Sequence, residues 1–145
     1  MTVEPDRRRV LKAIKKVLSD VYDFFQDAMD ILDAIGKGSV APGMAPLIGG
    51  FAMKNPKDNY RTAMIKVDAA ENALQPLTIR FQDGRVNESH FTDEEAIPLL
   101  KDLTEFDYQL LISILTERKG RESVWYRLRE LSEKAEQIFN MVASS

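Results

Sequence analysis

The chain has 145 residues, 44% hydrophobic and 30% charged, with a net charge of −3 and no cysteine. At that length roughly 70% of the unfolded surface can be buried around one core, so neither a metal nor a disulfide is needed as a staple. The missing thiols exclude disulfides, thiolate metal sites and cysteine nucleophiles. The mildly acidic balance, pI about 5.3, gives no reason to expect a nucleic-acid partner.

Residues 1–9 are followed by a stretch interspersed with charges where a signal peptide needs an uninterrupted apolar run. The longest uncharged stretch, 38–53, is interrupted by Pro42 and Pro46 and is shorter than the roughly 20 residues that span a bilayer. The expectation is a cytoplasmic protein with a single helical domain and no transmembrane segment.

The clearest pattern lies between Val10 and Ile35. Four successive heptads from Val10 carry apolar residues at their first, second and fifth places, which puts a broad dry face on one helix. Pro5 suits the first helical turn and Gly36 the C-terminal cap, giving helix 1 over about residues 5–35. The face is wider than a two-stranded coiled-coil seam, so a bundle helix with two neighbours is expected.

Residues 36–55 follow as a long loop. Five of the seven glycines and two prolines fall within 36–50, yet Val40, Met44, Leu47, Ile48 and Phe51 are apolar. Helix 2 is expected over about 56–83, with Tyr60, Met64, Val67, Ala70, Leu74 and Leu77 on its inner face and a break at Pro76, where a proline removes a backbone donor. Residues 77–91 read either as the kinked end of that helix or as a small hairpin around Asp83-Gly84, the helix being preferred because the return strand has one apolar residue.

Helix 3 is expected over about 93–119, in one or two pieces. Thr92 and Glu95 are spaced as a capping box, and Thr104-Glu105-Phe106-Asp107 offers a second cap. Its apolar face comprises Leu99, Leu103, Phe106, Leu110, Leu111, Ile114 and Leu115, and Lys119-Gly120 closes it. In helix 4, about 121–143, the helix 1 pattern returns from Val124 through Val142, so helices 1 and 4 are expected to share a core, with Trp125 inside it.

Helix 1 is charged against its own dipole: Arg7, Arg8, Arg9, Lys12, Lys15 and Lys16 precede Asp20, Asp23, Asp27, Asp30 and Asp33. Asp20, Asp23, Asp27 and Asp30 form one acidic ridge of mutually repelling neighbours. Two arrangements would relieve it: the Arg-rich start of an antiparallel helix 4 (Arg118, Lys119, Arg121, Arg127 and Arg129), or helix 1 of a second copy. A metal is not expected, because the Glu-x-x-His pairs of di-iron bundles are absent. Gly36-Lys37-Gly38-Ser39 lacks phosphate-loop spacing, and His90 has no nucleophile or carboxylate constellation around it, so a surface or capping role fits it better.

These features predict an all-α fold: an antiparallel up-down four-helix bundle with a long apolar Gly/Pro loop between helices 1 and 2 and a kinked or broken middle. No catalytic residue, cofactor or metal site is identified. The expected function is that of a non-enzymatic protein-interaction or regulatory module, alone or as a homodimer. The alternatives are a peripheral membrane-binding bundle docking through Val40, Met44, Leu47, Ile48 and Phe51, and a helical ligand- or metal-binding protein.

Overall fold

A computed structural model describes residues 3–37 and 56–144 of the chain. Among these residues there are five α-helices and no β-strand: α1 (Val3–Lys37), α2 (Pro56–Gln82), α3 (Ala96–Glu105), α4 (Tyr108–Thr116) and α5 (Arg121–Met141), with a short 3₁₀ turn at Glu88–His90. The apolar segment containing Val40, Met44, Leu47, Ile48 and Phe51 lies outside the described residues.

The long helix α1 packs along both α2 and α5, α2 also meets α4, and α3 lies against α5. Helix α1 runs antiparallel to α2 and to α5. Asp27 meets Lys66 of α2, whereas Arg9 and Val10 lie beside Arg80. Leu32 and Asp33 lie beside Arg121 of α5, and Leu18 beside Phe139. The heptad positions do what their spacing demands: Leu11, Ile14, Leu18, Val21, Phe25, Ala28 and Leu32 are buried, facing Ala63, Val67, Ala70, Leu74 and Leu77 of α2 and Val124, Leu128, Leu131, Ala135 and Ile138 of α5 in one core. Fully buried Ala63 and Ala70 supply the small side chains that let two helices approach closely.

Helix α2 does not break at Pro76; the α-helix continues through it to Gln82. Pro76 is exposed, so its ring faces water, while buried Leu74 and Leu77 hold the turns on either side of it in the core. The Thr78 hydroxyl adds a bond to the Leu74 carbonyl, 3.2 Å away. No hairpin forms after it. The chain turns at Gly84, whose φ is +85°, and Val86 returns to bond the Arg80 carbonyl at 2.9 Å.

The expected capping box at Thr92 and Glu95 is also absent. Thr92 is taken by a more distant partner: its amide and hydroxyl both donate to the Met141 carbonyl, at 2.7 and 3.1 Å. A capping box forms instead around the 3₁₀ turn, where Asn87 accepts from the Ser89 amide at 3.0 Å and the His90 ring accepts from the Asn87 amide at 3.2 Å. His90 is thus a buried capping residue, not a surface one. Ala143 donates to its carbonyl, so residues 90–92 and 141–143 run side by side as a short antiparallel bridge with Phe91 opposite Val142.

The third helical region is in two pieces. Asp107 caps α4 by accepting from the Leu110 amide at 3.2 Å. Tyr108, 2% exposed, stitches the break: its phenol donates to the Leu103 carbonyl at 2.6 Å. Its ring stacks on Phe25 of α1 and meets Phe106 edge-on, with centroids 6.0 and 5.1 Å apart. Leu110, expected on the inner face, is 53% exposed, because the break at Phe106 resets the helical phase. Helix α4 ends before Arg118, which is left-handed, and Gly120, with φ of +72°, leads into α5.

Candidate interaction surface

Two observations build the site, a charged strip along α1 and an apolar groove beside it. The strip consists of α1 positions outside its buried face: Arg9, Lys12, Lys16, Ser19, Asp23, Asp27 and Asp30 are all exposed. Their steps of three and four residues keep them in one row down the helix. The row is basic at its N-terminal end and acidic at its C-terminal end.

The acidic ridge finds other partners than those expected of it. Asp20 pairs within α1 with Lys16, at 3.0 Å. Asp27 pairs with Lys66 of α2, at 3.4 Å. The arginines of α5 are engaged within their own helix, Arg127 with Glu130 and Arg129 with Glu133, and Arg129 also lies over the Trp125 ring at 5.8 Å. Among the described residues no ion pair joins α1 to α5, so the intrachain match between the acidic ridge and the start of helix 4 is not made. Arg121 comes beside Gly36 and Asp33 without forming one.

Asp23 and Asp30 have no ion-pair partner among the described residues, nor do Arg9 and Lys12. Partial burial raises the Asp30 carboxyl above its ordinary range, and the neighbouring carboxylates of Asp27 and Asp33 add to the shift. The residue as a whole is exposed, so solvent screens much of that repulsion. Among the described residues no group of three or more acidic or imidazole side chains converges as a metal site.

The groove runs between α1 and α5, is lined by Leu18, Ser19, Tyr22, Ala135, Glu136, Phe139 and Asn140, and encloses about 260 Å³. Phe139 is 36% exposed at its edge, with the Lys15 ammonium 5.9 Å above its ring. The groove borders the strip where the strip changes sign, at Ser19. Sequence periodicity identified both helices but not this gap, because small Ser19 and Ala135 open it from positions that read as ordinary places in two amphipathic helices.

Other exposed apolar residues are scattered: Ile65 and Ile79 on α2, Leu110 on α4 and Tyr126 on α5. Trp125, expected in the core, is half-buried at the edge of a second groove with Leu32, Asp33, Arg121, Glu122 and Tyr126. Its indole N–H is buried without a hydrogen-bond acceptor among the described residues. Among the described residues no helix is long and apolar enough to cross a membrane. The chain matches no protein-family model, no curated protein and no solved structure.

Proposed function

We propose that this protein is a non-enzymatic helical interaction module that binds a protein partner, a second copy included, through the outer face of α1. The observation that carries the reading is the charge segregation of that face, in which Arg9 and Lys12 at one end and Asp23 and Asp30 at the other are exposed and have no ion-pair partner among the described residues. Segregated charges of this kind steer and orient association more than they stabilise a fold.

In this reading the scaffold is an antiparallel up-down four-helix bundle, with α3 and α4 sharing one position, which holds α1 as a rigid rod. A cysteine-free chain suits a reducing compartment, and the cytoplasm is the setting we propose for it. The test is co-purification from cells that express tagged and untagged copies, comparing wild type with a variant in which Arg9, Lys12, Asp23 and Asp30 are all replaced by Ala. The reading expects a polypeptide that is retained by wild type and lost with the variant. Equal retention on both would overturn the assignment to this face.

A further inference from the structure

The α1 strip is complementary to itself. Its midpoint falls between Ser19 and Asp20, and opposite charges stand at equal distances on either side: Lys16 and Asp23, then Lys12 and Asp27, then Arg9 and Asp30. At 1.5 Å rise per residue those pairs lie about 5, 11 and 16 Å from the midpoint. Two such helices laid antiparallel with their midpoints together would therefore oppose every cation of one to an acid of the other. Because the pairing is two-fold symmetric, each contact occurs twice.

We propose that the chain forms a two-fold symmetric dimer with a second copy of itself, α1 against α1 and antiparallel, in the register that sets Lys16 against Asp23, Lys12 against Asp27 and Arg9 against Asp30. The inference rests on the reading of α1's outer face as an interaction surface. A second observation supports the same centre. The groove lined by Tyr22 and Phe139 opens beside Ser19, at the midpoint of the strip. A two-fold axis perpendicular to the paired helices keeps both α5 helices on the same side of the pair. The two grooves then meet across that axis, so the exposed edges of Tyr22 and Phe139 supply an apolar patch between the charged arms.

The intrachain pairs do not compete strongly. The Lys16 side chain is 75% exposed in its pair with Asp20 and can swing to Asp23 of the other copy. Asp27 is half-exposed in its pair with Lys66 and has a second oxygen to offer Lys12. Alternative registers fare worse: shifting one helix by a full turn leaves charges of the row without partners, Arg9 in one direction and Lys16 and Asp30 in the other.

Charge reversal tests the register. Sedimentation equilibrium of wild type at low salt should give twice the 16.5 kDa chain mass, falling toward one chain in 1 M salt, where the screening length is about 3 Å. Asp23→Lys with Asp30→Lys, and separately Arg9→Asp with Lys16→Asp, should each be monomeric, with helical circular dichroism unchanged. Mixing the two variants should restore a dimer containing one of each, and combining all four substitutions in one chain should restore a homodimer.

Wild type monomeric at all salt concentrations overturns the dimer; if a different polypeptide is nevertheless retained by wild type in co-purification and lost from the Ala variant, the interaction reading survives that failure. A dimer whose mass none of these substitutions changes overturns this face and register. A dimer that both paired variants disrupt but that mixing does not restore overturns the register alone.

Discussion

Tyr108 is the side chain on which the broken third region depends, and Tyr108→Phe isolates one atom of it. The substitution keeps the ring stacked on Phe25 and edge-on to Phe106 but removes the donor held 2.6 Å from the Leu103 carbonyl. That carbonyl lies in the last turn of α3, where helical geometry provides no amide four residues on. Leaving a buried acceptor without a partner costs about 1–3 kcal/mol; we expect about 1.5 kcal/mol in urea unfolding. At about 2–4 °C per kcal/mol for a domain of this size, the melting temperature should fall by about 3–6 °C.

The same site has a pH signature. Burial, reinforced by the Glu71 carboxylate, pushes the Tyr108 phenol far above its ordinary value of 10.0. The folded state therefore keeps a proton that the unfolded state loses above about pH 10. The stability contributed by Tyr108 is fully present below that pH and declines above it. One tyrosinate step should arrive only with alkaline unfolding and should vanish in Tyr108→Phe. A variant as stable as wild type, or a phenol that ionises while the protein remains folded, would refute the account.

Other residues give independent checks by urea or thermal unfolding. Pro76→Ala should stabilise the protein by about 1–3 kcal/mol, since it returns a backbone donor to the middle of α2 at an exposed position; no gain would mean that this turn is distorted for some other reason. Gly120→Ala should cost more than Gly84→Ala: both glycines have positive φ, but a Cβ at Gly120 collides with Ile114, whereas one at Gly84 meets nothing. We expect about 1 kcal/mol at Gly84 from backbone strain alone and at least twice that at Gly120. Asp30→Asn, made in the monomeric Arg9→Asp, Lys16→Asp background so that no second copy faces it, should be neutral or stabilising by a few tenths of a kcal/mol, because it removes like-charge contacts with Asp27 and Asp33 along one helix face; a loss above that size would show that the Asp30 carboxylate has a stabilising role within the chain.

How much could be read in advance depended on whether a residue's partner lies nearby in sequence. The α1 heptads and the α5 repeat from Val124 are local patterns, and the structure contains both; of the cap read across Thr104 to Asp107, Asp107 caps α4, while Thr104 bonds back to Leu100 inside α3. Thr92 looked like a cap by spacing, but Met141, 49 residues later, holds it, and no local rule reveals that. Pro76 was misleading because the cost of a helical proline is counted without the packing of Leu74 and Leu77 on either side. Position along the rod matches the acidic ridge either to the arginines of α5 or to helix 1 of a second copy. Those arginines reach glutamates one turn away in their own helix, and Lys66 of α2 meets Asp27 instead. Leu110 followed the apolar period of one continuous helix, and the break at Phe106 turned it to solvent.

The bridge of Phe91 to Val142 also couples two stretches of chain far apart in sequence. The turn at Glu88–His90 lies in the chain well before α5, yet its backbone ladder is completed by Met141, the last residue of that helix, and by Ala143 just beyond it. Fraying at the end of α5 and opening of the crossing from α2 to α3 are therefore one event. The amides of Thr92 and Ala143 should exchange hydrogen with a single opening free energy.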